Sequence, residues 1–385
     1  MRIRFAFSIA LFALMIAWGQ VAVVADRTTG HAQAPRGYEL RQFTPRSATT
    51  WWASLTNSTT SAHVVVRTTD SGQHWQNVTP TFRDDPEFEI FFLNADTGWI
   101  ASGSSENLDR NDVYRTRDAG QTWPRMGTVP SCEALDFVDA THGWCADIGG
   151  AAGSASVWLY RTTDGGATWP LVSRTNGLSN PSAPDTPDNI PFACDKTIAF
   201  ASSTIGWASS HCTASAKSYL YGTIDGGVSW HPRQVPLPSS ASGCGAELGT
   251  PVVDGQAAAL AIWMECDGAS TSISTSADGG TTWNTKPVSG PPKRWSVDLI
   301  DPSHWRLTDG AVLMLSDDAG ATWQSRPLAP LMRRMTSDAF DLKFVSPLTG
   351  FAVPKTTNSP VWWTADGGVT WTSVAITVGP RIQPH

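Results

Sequence analysis

The chain has 385 residues, of which 16% are charged, and a formal net charge of −7. An acidic balance is a poor match to nucleic acid or to an anionic membrane surface. The 41% apolar content is ordinary for a globular protein, and the abundance of Gly, Ser, Thr and Pro suits many short strands and turns.

Residues 1–25 differ from the rest. Arg2 and Arg4 precede an apolar run from Phe5 to Trp18, and Val23-Val24-Ala25 offers a small-residue cleavage site. This is the layout of a secretory signal peptide, with an uncleaved anchor as the alternative. Gly19 and Gln20 interrupt the run before it reaches the ~20 residues of a membrane span. Cleavage removes two arginines and no acid, so the mature charge is −9. The expected location is extracellular, periplasmic or in the cell envelope, with no membrane insertion beyond this segment. Residues 26–37 read as a linker.

From residue 38 to residue 378 two patterns alternate. The first places an aromatic pair seven residues apart: Phe92 and Trp99, Phe137 and Trp144, Phe200 and Trp207. Phe344 and Phe351 keep the spacing, Leu299 to Trp305 is one residue shorter, and Phe43 to Trp51 or Trp52 is slightly longer. The fifth unit is degenerate, with Val252-Val253-Asp254-Gly255 turning into Ala258 to Trp263.

The second pattern is an eight-residue segment, cleanest as Thr162-Thr163-Asp164-Gly165-Gly166-Ala167-Thr168-Trp169. It occurs seven times, with aspartates at Asp70, Asp118, Asp164, Asp225, Asp278, Asp318 and Asp366, 40 to 61 residues apart. A period of this size indicates a propeller or a solenoid. The Asp side chain can bond N–H groups just ahead of it and hold a tight turn, and the Gly two residues later supplies positive φ. The Trp then starts the next strand and covers the hairpin it closes. The seven aspartates therefore read as structural, each engaged in its own turn.

Each repeat yields four strands. Strand A ends at the Phe, strand B carries the Gly-Trp, strand C leads into the eight-residue turn and strand D starts with its Trp. The expected fold is all-β: a seven-bladed β-propeller of four-stranded antiparallel blades, with little exposed sheet edge. Of 19 tryptophans, seven lie in the turns and six more (Trp51 or Trp52, Trp99, Trp144, Trp207, Trp263, Trp305) are placed at the strand B position. Residues 379–385 form a tail.

All six cysteines lie in the third, fourth and fifth repeats: Cys132 and Cys145, Cys194 and Cys212, Cys244 and Cys266. In an antiparallel hairpin the paired residue numbers have a constant sum. This sets Cys194 against Cys212 and Cys244 against Cys266, whereas Cys132 and Cys145 are out of register and need a bulge or another pairing. Local disulfides suit an oxidising compartment. No Cys-x-x-Cys and no Cys/His cluster with metal spacing occurs, so no metal or cofactor is implied.

The eight-residue segments resemble the Asp-box (BNR) repeat, all seven copies keeping Asp, Gly and Trp in register. Asp-box propellers include sialidases, whose chemistry requires a Tyr nucleophile, a base for it, several arginines and an Arg-Ile-Pro element. Here Tyr114, Tyr160, Tyr219 and Tyr221 lie on strand C, Tyr38 begins the first blade, and Arg-Ile occurs only at Arg2-Ile3 and Arg381-Ile382. The Phe-x6-Trp strand pair and the Thr-x-Asp-Gly-Gly-x-Thr-Trp turn are together similar to the photosystem II assembly-factor propellers, over residues 43 to 378. That resemblance implies an exported, non-catalytic seven-bladed scaffold that binds a partner protein; the cysteine pairs and the stretch from Asn176 to Phe192 depart from it.

With A–B and C–D turns on one face, insertions fall on the other, among them Gly103 to Asp112, Asp147 to Ser156, Asn176 to Phe192 and Pro330 to Ala339. Loops on a rigid scaffold carry function. Early loops are acidic (Asp84, Asp85, Glu106, Asp109) and later ones basic (Arg233, Lys293, Arg294, Arg333, Arg334, Lys355), which suits electrostatic steering of a charged partner. Arg67, Arg115 and Arg161 recur on strand C, as pairing or stacking groups beside the turn Trp. The expectation is a monomeric, exported, non-catalytic propeller whose D–A/B–C loop face binds a protein. A carbohydrate-active propeller (glycoside hydrolase, sialidase-like or lectin) is the alternative, and it requires carboxylates converging at the centre of that face.

Overall fold

The structure, a computed structural model, describes residues 37–82, 88–104, 107–149, 156–175, 195–212, 217–238, 245–265, 270–288, 295–328, 340–355, 359–379 and 381. Seven antiparallel sheets follow one another along the chain. Blade one comprises Tyr38–Pro45, Trp51–Asn57, His63–Thr68 and Gln76–Asn77; blade two Phe88–Phe92, Gly98–Ser104, Asn107–Thr116 and Arg125–Pro130. Blade three comprises Ala134–Phe137, Gly143–Gly149, Ser156–Thr162 and Leu171–Arg174; blade four Asp195–Phe200, Gly206–Cys212, Lys217–Thr223 and His231–Arg233. In blade five strand A is broken into Gly245–Leu248 and Val252–Asp254, both pairing with strand B, Ala257–Glu265, before Ser270–Ser276 and Asn284–Pro287. Blade six comprises Ser296–Leu299, Trp305–Thr308, Val312–Ser316 and Gln324–Pro327; blade seven Phe340–Phe344, Gly350–Pro354, Val361–Thr364 and Thr372–Val374. The protein is a seven-bladed β-propeller.

The apolar residues do not form one core. They form seven clusters, each shared by two neighbouring blades, and each two-faced blade takes part in two of them. A repeating three-part stack organises several. Trp52, Trp99 and Trp144 on strand B lie flat on Phe92, Phe137 and Phe200 of the following blade, at 3.9, 3.7 and 3.6 Å between centroids. On the other side of each indole lies the strand C arginine of its own blade: Arg67, Arg115 and Arg161 at 5.2, 4.8 and 5.7 Å from the ring. These arginines thus stack on the strand B Trp, not beside the turn Trp, because they pair directly across from it in the sheet. The Gly before that Trp makes room for the blade's own Phe: a Cβ at Gly143 would meet the Phe137 ring at 2.4 Å.

Blades five and six depart from the sequence-based placement. Opposite the turn Ser316 stands Trp305, the counterpart of Gly143 opposite Thr162, so the stacking position falls to Arg306, over Phe344 at 5.5 Å. In blade five Ala258 pairs with Ser276, and Trp263 lies farther along the strand than the repeat position. In blade one Trp51 is the Gly counterpart and Trp52 the stacking residue.

Blade seven meets blade one without sharing a strand. Phe43, Trp51, Val66 and Trp75 pack with Phe351, Val361 and Ile376. The chain then continues past strand D of blade seven along the outer edge of blade one. Arg381 forms an isolated parallel bridge with Asn77, and its guanidinium donates to Thr79 O at 2.8 Å and to Thr81 Oγ1 at 3.1 Å.

Candidate functional site

The seven Asp turns are built alike. The leading Thr or Ser hydroxyl donates to Asp Oδ1 at 2.7–2.9 Å and receives the N–H of the Gly two residues beyond the Asp at 2.8–3.0 Å. Asp Oδ1 also accepts the N–H four residues ahead, and Oδ2 takes the hydroxyl there, as Thr168 does on Asp164 at 2.7 Å; His74 replaces the hydroxyl in the first turn. Two successive residues adopt positive φ, at 54–79° and then 78–103°. The hydroxyl hub and the positive φ of the residue directly after the Asp are features the sequence reading did not assign. For Asp70 and Asp164 slight burial pushes the carboxyl up, but the hydrogen bonds outweigh it and hold both at about 2. In Asp278 the bonds from Thr282 lead, again to about 2. Asp118, Asp225, Asp318 and Asp366 are lowered by the same bonds. All seven carboxylates are occupied.

These turns define the faces. In every blade the residue after the Asp donates its N–H to an A–B turn carbonyl at 2.8–3.1 Å: Ser71 to Thr49, Ala119 to Asp96, Gly165 to Thr141, Gly226 to Thr204, Gly279 to Gln256, Ala319 to Ser303, Gly367 to Leu348. The A–B and C–D turns are thereby stapled together on one face. The D–A and B–C connections occupy the other.

Of the residues expected to bind a partner there, Asp84, Asp85, Glu106, Lys293, Arg294, Arg333 and Arg334 lie outside the described residues. Gly103 to Asp112 is not a loop but most of a long hairpin, in which Ser104 pairs with Asn107 and Asp109 lies on strand C. Asp112 there pairs with Arg125 at 2.7 Å. Arg233 sits on strand D of blade four, where its side chain fills the space over Gly222; a Cβ there would meet Nε at 2.9 Å. Lys355 pairs with Asp341 at 2.8 Å, and burial pushes the Asp341 carboxyl up while Lys355 opposes the shift. Trp295 is buried between blades five and six. Cys132 and Cys145 form a disulfide with Cα atoms 5.5 Å apart. The register problem does not arise, because Cys132 precedes strand A in the connection from blade two. Cys194, Cys244 and Cys266 lie outside the described residues, and Cys212 ends strand B of blade four.

The structure gathers a second set that the sequence reading overlooked. On the inner strand A, the residue paired across from the strand B stacking position is Thr44, Phe91, Asp136, Ala199, Val252, Asp298 and Lys343 in blades one to seven. Thr44 and Val252 are buried and the other five half-buried, while the next residue, Phe92 in blade two and Phe137 in blade three, points into an interblade cluster. Three of them tie blades together. Asp136 Oδ2 accepts the Phe200 N–H at 3.1 Å, Asp298 accepts the Phe344 N–H, and Lys343 Nζ donates to Phe43 O at 3.0 Å. A charged residue at this position in three of seven repeats (Asp136, Asp298 and Lys343) was the available signal. A cavity of about 60 Å³ opens here, lined by Gln42, Thr44, Arg46, Phe91, Asp136 and Lys343 among others.

At the loop-face end of the inner strands of blade three lies a pair of acids. Burial raises Asp147, with Ser131 opposing; burial and then Asp147 raise Glu133; Tyr160 is raised by burial and then by Asp147. Among the described residues no group of three or more His, Cys, Asp or Glu is placed to hold a metal, and no helix is long and apolar enough to cross a membrane.

No family model matches the chain, and no curated protein matches it in sequence. Its fold is similar to that of a polysaccharide lyase, PL25 ulvan lyase, at 11% identity, covering 87% of this chain and 96% of that one with a TM-score of 0.50. It is also similar to the β-propeller domain of the Trilobed protease from Pyrococcus furiosus (10% identity, 88% and 98% coverage, TM-score 0.48). A third similar structure is the GH93 α-L-arabinofuranosidase of Fusarium graminearum (12%, 83% and 89%, TM-score 0.41). At these identities the likeness concerns the fold alone.

Proposed function

We propose that this is an exported, non-catalytic propeller that captures a protein partner on its D–A/B–C loop face. The observation that carries the reading is the asymmetry of the disc. On one face seven turns are built alike, each stapled to the A–B turn of its own blade; the chain varies in length on the other. The hydroxyl–Asp–Gly bonding of the turns supports reading them as Asp boxes, and with the strand pairs it supports a likeness to photosystem II assembly-factor propellers. The loop charges, including Arg333 and Arg334, would steer an oppositely charged surface and set its orientation. The test is cross-linking of the secreted protein in its native source, with mapping of linked peptides. Links should cluster on the loop face, and Arg333→Glu combined with Arg334→Glu should cut capture at least tenfold without changing the melting curve. Capture unaffected by that pair overturns the steering.

A second reading has one specific observation behind it. Glu133 and Asp147 are adjacent carboxyls with raised affinity for protons, near Tyr160, as acid–base chemistry on a glycan requires. Turnover of any polysaccharide that is abolished by Glu133→Gln or Asp147→Asn would replace the first reading with this one.

A further inference from the structure

We propose that Trp158, at the loop-face end of blade three, is the stacking platform of a binding site for a neutral pyranose ring. Among the described residues every tryptophan except Trp158 and Trp263 packs into one of the seven interblade clusters. Trp263 donates its indole N–H to Trp295 O at 2.7 Å. Trp158 is half-buried and, among the described residues, has no hydrogen bond, ring contact or cation over its face. The strand explains this. Val157 and Leu159 point into the cluster shared with blade four, and Tyr160 packs against the one shared with blade two. Trp158 falls on the same side as Tyr160, one step of the two-residue period nearer the loop face, and so lies past the end of that cluster. Its ring leans over Gly149, the last residue of strand B, where a Cβ would stand 3.9 Å from Cζ3. Gly149 itself offers no side chain to cover the indole.

The neighbours of this ring are polar and of two kinds. Asp147 stands directly across from Trp158 on strand B, and Arg174 directly across on strand D. Cross-strand pairs share a face of the sheet. The Cys132–Cys145 disulfide pins the connection from blade two against strand B, and Glu133 N donates to Ala146 O at 3.0 Å, which brings Glu133 beside Asp147. An indole face thus lies between a carboxylate acceptor and a guanidinium donor. That set selects its ligand. The C–H groups on one side of a pyranose carry partial positive charge and match the negative face of an indole. Its hydroxyls both donate and accept, so they use a donor and an acceptor at once. Two carboxylates near the ring disfavour an acidic sugar. A quaternary ammonium also stacks on tryptophan, but Arg174 repels it and a single ring is not a cage. A protein hot spot sits in a packed surround that excludes water, whereas among the described residues no exposed large hydrophobic lies at this end of blade three. The site adjoins the acid pair of the second reading and deepens it by naming the ring that would be held. It requires binding and not turnover, so either can fail alone.

The test is an array of neutral and acidic oligosaccharides probed with the fluorescently labelled secreted protein, followed by titration of the strongest binder. Saturable binding to a neutral pyranoside is expected. Trp158→Ala should weaken it at least tenfold with an unchanged melting curve, because the indole belongs to no interblade cluster. Trp158→Phe should keep it within a few fold of wild type. Binding to no oligosaccharide, preference for acidic sugars, displacement by choline, or unchanged affinity in Trp158→Ala overturns the proposal. So does a Trp158→Ala melting curve shifted as far as that of Trp144→Ala, which would make the indole a packing residue. Glu133→Gln separates the two readings. Sugar binding by a chain that turns over no polysaccharide keeps the platform and removes the catalysis. Turnover that Glu133→Gln abolishes, with a KM indifferent to Trp158→Ala, keeps the catalysis and removes the platform.

Discussion

Trp144 of blade three lies flat on Phe200 of blade four, with 3.6 Å between ring centroids and 3° between planes. Its indole N–H donates to Gly226 O in the Asp turn of that next blade, at 2.8 Å. Arg161 covers the other side of the indole and donates to Ser203 O, again in blade four, at 2.9 Å. One strand position therefore ties a blade to its neighbour by stacking, by a hydrogen bond and through its arginine.

Trp144→Ala should be the most damaging change at this junction. It removes a fully buried indole and leaves a cavity between two sheets, a loss of about 3–5 kcal/mol. Arg161→Ala removes the stack and a charged hydrogen bond and should cost about 1–3 kcal/mol. Midpoints of urea unfolding should rank wild type above Arg161→Ala above Trp144→Ala. Equal midpoints for the two variants would show that the arginine, not the ring stack, holds the blades together.

The Asp turns make stability depend on acid. Asp70, Asp164 and Asp278 have folded values near 2, below the ~4 of an unfolded aspartate. A depressed folded value means stabilisation that is complete above the unfolded value and lost as pH falls towards the folded one. Melting temperature should thus be flat from pH 7 to about 5 and fall steeply between pH 4 and 2. Asp164→Asn keeps the shape of the group but not its charge, so it should lower the plateau and flatten the fall. A fall of unchanged steepness in that variant would show that the Asp164 turn adds nothing to the acid sensitivity.

The blades and their turns were legible in the sequence because each needs particular residues at fixed spacing: Phe137 with Gly143-Trp144, Asp164 with Gly166 and Trp169. The same spacing misled where substitution preserved the role and moved the residue. In blade six the stacking partner of Phe344 is Arg306, and Trp305 stands where other blades have Gly. Spacing alone treats the two tryptophan positions as one. The axial residues escaped notice for a different reason. Gln42, Asp136 and Lys343 come together only when the ring closes, across hundreds of residues, and no local pattern encodes that meeting.

Lys355 and Asp341 offer a choice between scaffold and partner contact. They pair at 2.8 Å, with side chains 31% and 22% exposed. Lys355→Met strands a largely buried carboxylate and should cost about 1–3 kcal/mol, below the value for a fully buried pair. Lys355→Met combined with Asp341→Leu should recover most of that loss. If instead the single variant melts like wild type and only partner capture falls, the lysine serves the loop face and not the blade.

The seam between blades seven and one should be the first to open. The other six junctions join blades that are consecutive in the chain, so a neighbour that separates stays tethered by a short connection. This one joins the first blade to the last, and beyond its apolar cluster it relies on Lys343 and on the strap that carries Arg381. Arg381 bonds carbonyl and hydroxyl groups near the surface, so Arg381→Ala should cost only about 1 kcal/mol in global unfolding. Its local effect should be larger, because fraying of the strap exposes the Trp75 edge while the middle blades stay closed. Hydrogen exchange should quicken in Gln76–Asn77 and Thr372–Val374 and remain unchanged in blades three and four. Uniform acceleration around the ring would mean that the propeller opens as one unit and that the seam is no weaker than the other junctions.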